Sequence, residues 1–338
     1  MQERLIQAFP KVELHVHVEA FLSAARVEQL AREAGVTLPR PTDRLYEFDS
    51  LADFLDLFAW LCRLLNRAEI AEQLGYDAAV QLSADGVVYA ELYVGPTYWA
   101  NMSPIEVVTS LAAGLDRAHR DGYADCRILP ALVRDEPVDW AFDLIDWVAS
   151  DRTTRVVGLG LEGNEAAVGR SSARFVEVYE YAAAAGLGRT VHAGESSGPE
   201  GVWDALDLLG VDRIDHGVRA IEDPVLVERL AAEAVTLNVC PTSNVLTGLY
   251  RSVADHPVGR LIAAGVPVTI NSDDPQPMSV TLSGELLAVA NELDWTIEDL
   301  TAATRRAIDA AFCGADTASA LHAKVDQFVH SRGSDTSA

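Results

Sequence analysis

Two histidines stand two residues apart in Glu13-Leu14-His15-Val16-His17-Val18-Glu19. The segment alternates apolar and polar side chains, the period of a half-buried strand, and strand residues two apart project to the same side. His15 and His17 therefore bring two imidazoles to one place. They are either two hydrogen-bonded histidines in a strand or half of a metal site completed from far along the chain. Three later segments carry suitable residues: His192-Ala193-Gly194-Glu195, Asp215-His216-Gly217 and Asn271-Ser272-Asp273-Asp274-Pro275. His15, His17, His192 and Asp273 form a nitrogen and oxygen donor set that suits zinc and leaves room for water. Iron or manganese would accept it too. A divalent ion there would acidify a water, and hydrolysis then needs a proton donor and acceptor besides. Glu195 is placed to donate, His216 to hold or deprotonate the water, and Asp274 to turn toward a substrate. Each could instead steady a ligand.

Such residues meet only if the fold gathers them. Strands are predicted to start near residues 12, 86, 127, 155, 188, 211, 235 and 266, and each precedes a helical stretch. Ser103-Pro104-Ile105-Glu106 is a strong helix start, with a cap, a proline and a glutamate in order. Eight β-then-α units predict an α/β fold, a (β/α)8 barrel with additional helices. A doubly wound sheet is the alternative. No G-x-G-x-x-G or P-loop follows a strand, so no nucleotide cofactor is suggested. In a barrel, chemistry sits at the strand C-termini. Of the eight histidines, His15, His17, His192 and His216 fall at such ends, a placement that favours a metal site. His119, His256, His322 and His330 show no partner pattern and read as structural. Leu51, Phe54, Leu55, Phe58 and Leu65 recur at helical spacing, as core or as the lid of an apolar pocket. One domain is expected over residues 1–330, with a flexible tail at 331–338.

The chain has 51 acidic against 26 basic side chains, a formal charge of -25. This excludes nucleic acid and anionic membranes as natural partners. Four scattered cysteines, with no CxxC, read as reduced thiols, and the N-terminus lacks a signal peptide's apolar stretch. A cytoplasmic protein acting on a small molecule is expected, with a homo-oligomer left open.

The motifs together give a chain that resembles the adenosine deaminase family of metal-dependent amidohydrolases, from Pro10 to about residue 313. They are the H-x-H strand, His192-Ala193-Gly194-Glu195, Asp215-His216-Gly217, Asn238-Val239-Cys240-Pro241-Thr242-Ser243-Asn244 and Ser272-Asp273-Asp274-Pro275. The resemblance implies one zinc per chain, bound by His15, His17, His192 and Asp273. It implies water attacking C6 of a 6-aminopurine and ammonia leaving. Glu195 would protonate N1, His216 orient and help deprotonate the water, Asp274 bond N7, and the Gly163 N–H meet N3. The cysteine-containing signature of cytidine-type deaminases is absent.

The substrate-reading part departs from the family pattern. Where relatives follow the first motif with leucine, aspartate and glycine, and that aspartate contacts ribose, this chain has Val18, Glu19 and Ala20. A glutamate at that position is seen in adenine deaminases, so Glu19 is expected to bind substrate. Leu161-Glu162-Gly163-Asn164-Glu165 replaces leucine-alanine-glycine-aspartate-glutamate. Tyr93-Val94-Gly95-Pro96 and Gln276-Pro277-Met278-Ser279 depart as well. Candidate substrates are adenosine or deoxyadenosine, aminodeoxyfutalosine, adenine and N6-modified adenines. Another mononuclear metal hydrolase on the same barrel, or a binding protein that kept the barrel, are the competing classes.

Overall fold

Eight parallel strands form the expected barrel. The computed structural model describes residues 3–151 and 154–335. The strands are β1 (Lys11–His17), β2 (Val87–Val94), β3 (Asp125–Val133), β4 (Gly158–Glu162), β5 in two segments (Gly188–Arg189 and His192–Ala193), β6 (Arg213–His216), β7 (Thr236–Val239) and β8 (Val268–Ile270). Neighbours pair in chain order. The middle of β5 is held from both sides, by Thr190 N donating to Leu159 O (3.0 Å) and Asp215 N to Val191 O (2.9 Å). The ring closes where Val16 bridges Asp273, with His17 N donating to Asp273 O (2.9 Å) and Asp273 N to His15 O (3.2 Å). The seam of the barrel thus runs through the proposed ligand residues.

The helices follow the sequence signals closely. Ser103 closes a full capping box with Glu106 at the start of helix Pro104–Arg120. Ser23 and Ser50 cap helices Ala24–Ala34 and Leu51–Cys62, and Gly35 ends the first of these in the left-handed conformation. A short helix, Glu3–Ala8, precedes Pro10, and the loop after β7 carries another, Pro241–Leu246. The last helix runs Ala315–Asp335 and takes in the first five residues of the tail expected at 331–338; residues 336–338 lie outside those described. No helix among the described residues is long and apolar enough to cross a membrane.

The barrel's floor is polar but paired. Arg213 and Glu91 form a fully buried ion pair, and Arg213 also donates to Ala310 O (2.9 Å) while its guanidinium stacks 3.8 Å from the Phe312 ring. Phe312 N donates to Glu91 (2.6 Å). Burying two charges is tolerable because each has a partner and further hydrogen bonds. The helix that ends at Ala310 is thereby tied beneath the strands. All four cysteines are free thiols, three of them buried.

Candidate metal centre and active site

The strand C-termini deliver His15, His17, His192 and Asp273 to one buried point. One ligand atom from each lies within 4.8 Å of all the others. His15 Nε2 is 3.0 Å and His17 Nε2 3.5 Å from Asp273 Oδ1, and the Nε2 atoms of His17 and His192 are 3.3 Å apart. The outer nitrogens explain why. His192 Nδ1 meets Leu161 O at 3.1 Å, so it carries the proton and leaves Nε2 a lone pair. His15 Nδ1 faces Asp215 Oδ1 at 2.8 Å, and His17 Nδ1 faces Glu162 Oε2 at 3.5 Å. Three lone pairs and a carboxylate oxygen therefore converge, an arrangement that repels itself unless a cation sits among them. Burial pushes the His17 imidazole down to about 4 and His192 well below its usual value, so both stay neutral and able to ligate. Burial would lower His15 too, but the carboxylates of Asp215 and Asp273 raise it to about 10. A divalent cation satisfies the same set without that proton. These residues fit a metal such as zinc.

The ligands are held by neighbours that sequence reasoning left unassigned. Asp215 accepts from Thr190 Oγ1 (2.5 Å), Asn238 Nδ2 (2.8 Å) and the Tyr93 hydroxyl. Glu13 Oε1 accepts from Ser272 N (2.7 Å) and Oγ (2.5 Å), and Asn271 Oδ1 from Leu14 N (2.9 Å). These bonds pin the turn that carries Asp273 and Asp274 to β1. Asp273 and His216 both take left-handed backbone, φ 64° and 58°. Such strain in non-glycine residues persists only where surrounding contacts enforce it. Arg134, buried at the end of β3, donates to Gly163 O (3.1 Å) and to His192 O, joining the turn after β4 to a proposed ligand.

A pocket of about 540 Å³, its open mouth included, lies over the metal residues. Its walls include His17, His192, Glu195, His216, Asp273, Asp274, Gly163 and Glu162, roofed by Leu51, Phe54, Leu55 and Phe58 of helix Leu51–Cys62. The aromatic stripe is a pocket roof on that face, while Leu65 is core. Tyr98 and Met278 add to the walls, so of the divergent segments Leu161–Glu165 and Gln276–Ser279 shape the pocket. Glu195 and His216 face each other, Oε1 to Nε2, at 3.8 Å. Burial raises the Glu195 pKa and, with Asp273 beside it, that of Asp274 well above the carboxylate range. Glu165 Oε2 accepts from the backbone N–H of Glu195 and of Ser197, both 3.3 Å, fixing the loop after β5. Gly163 has φ 108°, a conformation only glycine adopts freely.

Two placements differ from expectation. Glu19 does not line the cavity: it is fully buried behind it, its Oε1 accepting from Trp99 Nε1 (2.8 Å) and Gly95 N (3.3 Å). Glu162, not assigned a role from sequence, lines the cavity instead; its replacement of a small residue in the Leu161–Glu165 motif was the available signal. His256, read as structural, is buried and reaches the site indirectly. Val258 N donates to His256 Nδ1 (3.2 Å), His256 Nε2 meets Asn244 Oδ1 (3.1 Å), and Asn244 Nδ2 meets His216 Nδ1 (3.2 Å). A backbone N–H can only donate. It therefore fixes the proton of His256 on Nε2, the amide of Asn244, and finally the proton of His216 on Nε2, facing the cavity.

The family model described as adenosine deaminase matches residues 10–328. An adenine deaminase of Streptomyces coelicolor is 37% identical over 315 residues, covering 91% of this chain and 91% of the relative. The crystal structure of an adenine deaminase from Arthrobacter aurescens is similar at a TM-score of 0.86 and 30% identity, covering 96% of this chain and 100% of that one. A crystal structure of an amidohydrolase from Burkholderia ambifaria with bound Zn is similar at 0.88 and 27% identity, covering 98% and 94%.

Proposed function

The chain belongs to the adenosine deaminase family, and from that premise we propose that it hydrolyses the 6-amino group of a 6-aminopurine, with free adenine as the preferred substrate. Water adds at C6, ammonia leaves, and the 6-oxopurine is the product. The convergence of His15, His17, His192 and Asp273 beneath a cavity that also holds Glu195 carries this reading. Adenine is favoured because the S. coelicolor and A. aurescens relatives are named adenine deaminases. One zinc per chain is our reading of the four-residue donor set, supported by the B. ambifaria neighbour, whose structure has bound Zn; held by those four residues, it would polarise a water and lower its pKa.

The chain's own groups account for the rest. Glu195, buried and with a raised pKa, keeps its proton and delivers it to ring N1, which makes C6 more electrophilic. His216 presents its Nε2–H to the oxygen being added, and the second oxygen of Asp273, 3.9 Å from that nitrogen, takes the proton the water gives up and returns it to the leaving amino group, which departs as ammonia. Asp274 bonds N7, and the Gly163 N–H meets N3. The Leu51–Cys62 helix excludes bulk water.

The test is ammonia release by metal-loaded protein from adenine, adenosine, deoxyadenosine, aminodeoxyfutalosine and N6-methyladenine. Adenine is expected to show the highest kcat/KM. Bound metal with no ammonia from any purine overturns the reading.

A further inference from the structure

We propose that Glu162 is a specificity-determining residue that accepts the N9–H of a free purine base, so that the site selects base over nucleoside. This rests on the deaminase reading above.

Glu162 is 5% exposed, lines the cavity next to Gly163, and has no hydrogen-bond partner on either oxygen. A buried carboxylate left unpaired is costly. His17 Nδ1, 3.5 Å from Oε2, can satisfy one oxygen. The other still needs a donor, and the cavity is where one can arrive. Room for the side chain comes from Gly95, where a Cβ would stand 2.4 Å from Glu162 Oε1. Glu19 cannot take this role, because Trp99 and Gly95 already occupy the oxygen it turns toward them and it does not reach the cavity wall.

The purine ring fixes what the donor is. N9 lies between N3 and N7 on the ring edge. With Gly163 at N3 and Asp274 at N7, N9 falls between those two residues. Glu162 directly precedes Gly163, and its charge is near enough to Asp274 to help raise the Asp274 pKa. In adenine N9 carries a hydrogen. In a nucleoside it carries the sugar, which has no proton to offer and needs space the carboxylate fills. A site built around a buried acceptor rejects an analogue that lacks the donor.

The experiment compares adenine with 9-methyladenine on wild type, Glu162→Gln and Glu162→Ala, with metal content and Tm measured for each. Wild type is expected to prefer adenine strongly. Glu162→Ala should lower kcat/KM for adenine by about 100-fold and leave 9-methyladenine unchanged or improved. Glu162→Gln, which keeps a carbonyl acceptor and the volume, should retain part of the preference. Equal losses on both substrates, together with lost metal, would show that Glu162 only tethers His17 and would overturn the proposal. So would wild type that turns over 9-methyladenine as well as adenine. Wild type inactive on every purine would instead sink the deaminase reading itself.

Discussion

Asn244 Nδ2 lies 3.2 Å from His216 Nδ1, and this contact decides which nitrogen of the imidazole is turned toward the substrate. The orientation is set from His256 and ultimately from a backbone N–H, so it is independent of any ligand. In its neutral form His216 offers the cavity a hydrogen, not a lone pair. The sequence resemblance assigned it to help deprotonate water; the hydrogen bonds favour a donor.

Asn244→Asp tests that assignment. Aspartate accepts from His216 Nδ1 and reverses the tautomer while keeping the side chain's shape. A wrong tautomer at a catalytic histidine costs on the order of 10³-fold or more in kcat. KM should move little. Asn244→Ala, which imposes no tautomer, should lose less than Asn244→Asp. Steady-state kinetics with a pH profile decides: Asn244→Asp with the kcat and profile of wild type would refute the tautomer argument.

Metal removal should act on stability as well as activity. Without a metal only the His15 proton offsets the converging ligands, and an ion that binds only the folded state stabilises it by mass action. Chelation should abolish ammonia release and lower Tm by several degrees, on the order of 2–4 kcal/mol. Adding zinc back should restore both, with about one ion per chain. The same Tm with and without chelator, on protein shown to lose metal, would contradict this.

The barrel and the converging ligands were legible because both are written in local pattern. His15 and His17 sit on a period-two strand, and His192, His216 and Asp273 follow short apolar runs at strand ends. The partners that hold them were not legible, because each is fixed by register across strands. Asp215 accepts from Thr190, Tyr93 and Asn238, which come from three other strand regions. His256 meets Asn244 only through the path of the loop after β7. Glu19 looked like the substrate reader because it follows the metal motif, but the 3₁₀ turn Val18–Phe21 leaves it fully buried behind the cavity. Which carboxylate faces the cavity is a matter of backbone direction after the strand ends, and composition does not encode it.

Lys11 gives a pH-dependent stability. Its ammonium is buried among Ile6 O (2.7 Å), Gln7 O (3.1 Å) and Phe9 O (3.0 Å), capping the first helix, and burial lowers its pKa from 10.5 to about 8. Below pH 8 both folded and unfolded chains hold the proton, and the folded state bears the whole cost of the buried charge. Between 8 and 10.5 the unfolded chain binds more protons, so this residue's contribution to stability rises with pH. The gain is at most about 3 kcal/mol. Urea unfolding of wild type and Lys11→Met at pH 7.5 and 10 isolates it. Wild type should gain on the variant at the higher pH; a constant difference would show that Lys11 does not titrate in this window.

Arg134 should couple substrate binding to the metal strand. Its guanidinium donates through Nε to Gly163 O and through Nη2 to His192 O, so one rigid fork holds both the proposed N3 reader and a proposed ligand. Burial lowers its pKa, but an arginine remains charged. Lysine carries the same charge on a single point and cannot span both carbonyls. Arg134→Lys should therefore keep most of the stability yet raise KM for the purine by about tenfold, the loss of one charge-assisted hydrogen bond. Arg134→Ala leaves two buried carbonyls without donors and should cost about 2–4 kcal/mol in unfolding as well. If Arg134→Lys kept the KM of wild type, the fork would be a structural tie alone, and the turn at Gly163 would be positioned by its own backbone.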